Sequence, residues 1–289
     1  MDTSTPLSLT SVVDPVISLV PAKELRNTLR QAFSDERAAV ADIEKFFRVL
    51  PSSAWPENLL CTFAASWKAT HLKMLAIYGL SCRLQRIADG AGDPDRSNLF
   101  IAAARNASTS YEDLGLDFDG HTHAELYEDF AGALTGGDLW QLPKFRLPEA
   151  QQFGNWVYRN MVVEDISDGL LTNMFSEIYN HGEYSIALPA ASEYFQRHTR
   201  LTPDKRRKAV NYIAAHVEDE VEAAHFLVVV DALDRFLAVT KTAFDAERAG
   251  AIFRAYLQKL ARVMRRLTDT MRPELAGQEA MLVSANGGA

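Results

Sequence analysis

Cysteine is scarce: two in 289 residues, Cys61 and Cys82. That excludes a disulfide framework and a thiolate-rich zinc site, and it suits a reducing, cytoplasmic setting. Positive charge is short as well. Thirty Lys and Arg against 38 Asp and Glu leave a net charge of −8, which argues against a nucleic-acid partner. The basic run Lys205-Arg206-Arg207-Lys208 reads as a solvated helix start. No stretch reaches the ~20 uninterrupted apolar residues of a membrane span, so no membrane partner is expected. The opening residues lack the basic region of a secretory signal. Strand alternation with hairpin turns is absent, and so are internal repeats. One further gap bears on chemistry: no acidic residue lies between Glu57 and Asp89.

What is present reads as helix. Apolar residues make up 47% of the chain, enough for one large core. Helical periodicity covers roughly residues 22–49, 57–88, 95–113, 122–135, 148–162, 164–180, 185–198, 203–239 and 243–271. Breakers separate these runs, among them Pro51, Pro56, the 90–94 turn, Gly115 to Gly120 and Pro203. The expectation is a single all-α domain over 22–275, after a poorly ordered segment 1–21 and before a flexible tail 276–289. The aromatic-rich stretch 57–88 offers a face for a homodimer.

The most informative spacing is Glu218, Glu222 and His225 at i, i+4 and i+7. On one continuous helix these fall within ~60° of one another. Val221, Val229 and Leu233 extend the same arc, so the three ionisable groups project from an apolar face. His216 points ~160° away from Glu218 on that helix, toward expected solvent with Asp219 and Glu220. Two carboxylates and an imidazole in a core are costly unless paired or bound to a cation. Carboxylate and imidazole donors suit iron or manganese. Glu177 repeats the pattern, on one stripe with Ile166, Leu170 and Met174, and His181 follows four residues later. A third segment joins Glu112-Asp113-Leu114-Gly115 to His123-Ala124-Glu125-Leu126-Tyr127.

Together these segments, across about residues 58–235, resemble the haem-oxygenase-like di-iron oxidases and oxygenases of specialised metabolism. That family shows an acidic-Leu-Gly turn leading to His-x-x-Leu-aromatic, a central-helix glutamate, and finally [His/Asp]-x-x-x-Asp-x-x-His. The resemblance implies a haem-oxygenase-like helical bundle that binds Fe(II), two ions per chain, with O2 as co-substrate. It assigns the ligands to Glu112 or Asp113, His123, Glu177, Glu218, Glu222 and His225. Glu218 and Glu222 depart from the family's usual His or Asp and Asp. The carboxylate that the family takes from its first core helix is missing, and His71 is the candidate replacement. The implied reaction is desaturation, C–C cleavage or N-oxygenation of a small substrate, an amino acid or amine. Arg105, Lys144 and Arg159 are candidate clamps for its carboxylate. Two rival readings remain. One is a metal-free cofactor-synthesis enzyme of the same fold, relying on a nucleophile such as Cys61 or Cys82. The other is a non-catalytic interaction protein in which a basic side chain neutralises the buried acids.

Overall fold

In the computed structural model of the chain, the described residues are 7–111, 114 and 121–286, with side chains as far as Met271 except that of Asp219. Among them every regular element is a helix. The chain runs through α1 (Leu9–Ile17), α2 (Lys23–Asp35), α3 (Arg37–Val49), α4 (Glu57–His71), α5 (Met74–Asp89) and α6 (Asp95–Ser108). It continues through α7 (His123–Thr135), α8 (Pro148–Val162), α9 (Ile166–His198), α10 (Pro203–Val217), α11 (Val221–Thr240) and α12 (Ala246–Asn286). Local chemistry sets several of these ends. Thr122 and Glu125 form a capping box that starts α7, and Gly136, at φ 81°, ends it in the left-handed conformation. Thr202 caps α10 ahead of Pro203, whose missing N–H costs nothing in the first turn.

The axis of the bundle is α9. It packs against α1, α5, α8, α10, α11 and α12, and is buried on nearly all sides. A helix buried all round has no polar stripe to show, which hides it from amphipathic patterning. Close approach is bought with glycine. A Cβ on Gly169 would lie 2.8 Å from Leu80 Cδ1 and 3.2 Å from the Met161 Cα. On Gly182 it would lie 2.8 Å from Val13 and 2.9 Å from Leu9.

Helix continuity differs from the expectation in four places. The runs 22–49, 57–88 and 203–239 each divide, at Glu36, at Leu72-Lys73 and at Glu218–Glu220. Conversely, 164–180 and 185–198 are one helix, through Pro189. The segment expected to be poorly ordered contains α1, whose Leu9 and Val13 are fully buried against α9. The expected tail is helical to Asn286. Phe63 and Trp67 of α4 lie inside the core, while Tyr78 of the same stretch is half-buried.

Candidate functional site

Two helix interruptions aim side chains at the centre of α9. After His71, the two-residue junction Leu72-Lys73 turns the chain into α5 and points the Lys73 side chain inward. Its ammonium donates to Ser176 Oγ at 2.7 Å and to Glu177 Oε1 at 2.9 Å. Asn180, with its amide oxygen toward Lys73, accepts at 3.0 Å. At the other interruption, Glu218–Glu220 forms a tight 3-10 turn and Glu220 takes a left-handed φ of 54°. That resets the helical phase. Glu218 becomes exposed, while His216 turns into the core.

Glu177, Glu222 and His225 each present a ligand atom, and these atoms lie within 4.8 Å of one another. His225 Nδ1 is 3.9 Å from Glu177 Oε2. His216 Nδ1 is 2.7 Å from Glu222 Oε1, and its ring stacks on Tyr184 with centroids 4.1 Å apart. His123, opening α7, sits edge-on to His216 at 4.5 Å. These groups surround a void of about 30 Å3, room for an ion and one or two waters.

The electrostatics follow from burial. Burial raises the Glu177 carboxyl to about 8; Lys73 opposes the rise, the Glu222 charge and the hydrogen bond between the two acids add to it, and His225 opposes it again. Glu222 Oε2 is buried and receives no hydrogen bond. Burial lowers His181, against the pull of Glu222 and Glu220, and its Nδ1 also lacks a partner. An oxygen-rich donor set with an orphaned carboxylate oxygen and an imidazole fits one hard divalent cation such as Fe(II).

The remaining expected ligands fare differently. Glu112 and Asp113 lie outside the described residues. Glu218 stays out of the cluster because the helix breaks beneath it. His71 has both ring nitrogens engaged, Nε2 with Glu183 Oε2 at 2.9 Å and Nδ1 with the Trp67 carbonyl at 2.9 Å. It is therefore a partner for a buried acid rather than a stand-in for one. Arg105 pairs with Asp231, and Arg159 with Glu164, both at the surface, while exposed Lys144 lies over the Phe145 ring. None of these three lines the central cavities.

Sequence reasoning missed Lys73, Glu183 and His216. Lys73 had a visible signal, a lone charge in the apolar run Leu72-Lys73-Met74-Leu75-Ala76-Ile77. Glu183 and His216 had none, because each depends on where a helix ends or continues.

Beside the cluster opens a chamber of about 320 Å3, which shares His71, Lys73, His123 and Tyr212 with the inner void. Neither cysteine lines it; Cys61 is buried and Cys82 lies on the surface.

No family model and no curated protein matches the sequence. Among solved structures, the chain is similar to a TenA homolog from Pseudomonas syringae pv. tomato str. DC3000. The two are 14% identical with a TM-score of 0.59, over 88% of this chain and 93% of that one. The likeness is one of fold alone, an all-helical bundle. No helix among the described residues is long and apolar enough to cross a membrane.

Proposed function

We propose that the chain is a non-haem iron enzyme that uses O2 to oxidise a small organic molecule, with the iron held by Glu177, Glu222 and His225. The carrying observation is the convergence of two buried carboxylates and an imidazole within 4.8 Å, around an inner void that shares four lining residues with the larger chamber. Bound Fe(II) would supply O2 activation, chemistry that no side chain offers by itself. The residues around it have defined tasks. His216 holds Glu222 in place through its 2.7 Å contact. Tyr184 fixes the His216 ring by stacking and donates or accepts at Tyr212 Oη, 2.9 Å away. The apolar walls of the chamber offer a surface for the carbon skeleton of an organic substrate. A second iron, as in the di-iron family, would need further ligands, of which His123 borders the same void.

The test is metal content after anaerobic Fe(II) loading, followed by stopped-flow absorbance on mixing with O2. One or two irons per chain and a transient visible band are expected, with iron affinity about 100-fold lower in Glu222→Ala and His225→Ala. Wild-type protein that takes up no iron ends this reading.

A second reading has its own observation. Lys73 reaches Glu177, so the buried acids have a built-in cation, as a metal-free enzyme or an interaction protein of this fold would need. It is distinguished by substrate binding and turnover that persist in strong chelator.

A further inference from the structure

Lys73 belongs to two cavities at once. It lies on the α4–α5 junction rather than inside a helix, and its side chain lines both the inner void and the large chamber. Its ammonium rests on Ser176, Glu177 and Asn180. A divalent cation on Glu177 Oε2, the oxygen nearer His225, would share the carboxylate with Lys73 on Oε1, and two cations on one buried carboxylate repel strongly at low dielectric. The other space that the side chain already borders is the chamber.

The lining of that chamber indicates what a freed ammonium would meet there. Leu72, Met74, Leu75, Ala76 and Ala124 make its walls apolar, and none of the described residues lining it is acidic. The other lysine there, Lys68, already holds its ammonium over the rings of Tyr127 and Trp140, at 5.7 and 4.9 Å. We infer that Lys73 is a two-position counter-ion. It holds Glu177 by its hydrogen bond until a divalent cation takes that carboxyl group, and then turns into the chamber to bind the carboxylate of an apolar organic acid. The inference rests on the cation reading above and narrows its substrate. Among the described residues an amine would find no counter-charge in this chamber, whereas an acid would find Lys73 beside Lys68 once the cation is in place. Cation and acid then strengthen each other's binding by the same factor, as linkage requires.

The experiment is calorimetry of hexanoate binding to metal-free protein and to protein saturated with Co(II), a redox-inert probe. Wild type should bind hexanoate about tenfold more tightly with Co(II) present. Lys73→Gln should bind Co(II) more tightly than wild type, with its hexanoate affinity no longer responding to the metal. Lys73→Arg, which keeps the charge, should retain the coupling. Hexylamine should bind at least tenfold more weakly than hexanoate to the Co(II) form, a comparison that holds even where the glutamine variant does not fold. Hexanoate affinity indifferent to Co(II) in wild type overturns the proposal while leaving the cation site standing. Coupling that survives in Lys73→Gln overturns it too, since the acid would then ligate the ion directly. Wild type that binds no Co(II) overturns the cation reading and this inference together.

Discussion

The long helix α9 and the α10–α11 pair each supply half of the acid cluster, and they treat helix breakers in opposite ways. α9 contains Gly169, Gly182 and Pro189 and runs unbroken over 33 residues. Between Val217 and Val221 there is neither glycine nor proline, yet the helix stops and restarts. The difference is solvent. Neighbours enclose α9, and packing outweighs its poor intrinsic propensity. In Glu218-Asp219-Glu220 a continuous helix would drive Glu218 into the core beside Glu222, two like charges at i, i+4. The turn releases Glu218 and Glu220 to water and leaves His216 and Glu222 inside. Helix continuity in this chain is set by which side chains must stay wet.

The largest disturbance should come from the buried partner of this comparison. Gly169→Val places a branched side chain against Leu80 and the Met161 backbone. It should cost about 3 kcal/mol, read as a lower urea midpoint; an unchanged midpoint would show that α9 is less tightly held than its contacts imply.

An intermediate effect is expected from pH. Glu177 titrates near 8 in the folded protein, against about 4.3 when unfolded. Its folded value is raised, so its contribution is fully present below about pH 4 and is lost as pH rises toward 8. The metal-free protein should therefore melt at progressively lower temperature from pH 5 to pH 8. Glu177→Gln should flatten that slope, and an equal slope in both proteins would detach the effect from Glu177.

The smallest effect belongs to the joint itself. Glu220 holds a left-handed φ of 54°, which glycine adopts without a Cβ penalty. Relief of left-handed strain, about 1–2 kcal/mol, outweighs glycine's extra chain entropy, about 0.5–1 kcal/mol, so Glu220→Gly should raise stability by a fraction of a kcal/mol in urea titration. A loss of stability instead would mean that the Glu220 side chain anchors the turn.

Most of the fold could be read from periodicity, because each amphipathic helix advertises its buried stripe. The α9 continuity could not, since Gly182 and Pro189 look like punctuation unless the packing around them is known. Within the site, Glu177, Glu222 and His225 were legible as ionisable groups in apolar arcs, and the structure brings these three together. The positions assigned to His216 and Glu218 were exchanged in effect, one inward and one outward, because a wheel drawn over 203–239 assumes no change of phase at 218–220. Lys73 escaped for a related reason: it sits at a corner that the periodicity of 57–88 smooths over.

The close seat of α1 on Gly182 ties the acid cluster to α1. Leu9 and Val13 press against α9 one residue from both His181 and Glu183. They act as a back plate: whatever lifts α1 slackens the register of α9 and, through it, the spacing of its acids. A stretch whose composition suggests something dispensable thus gives the far side of the bundle leverage over the site. Changes made in α1 would be felt first in the spacing of the acids that α9 carries, before any loss of helix content.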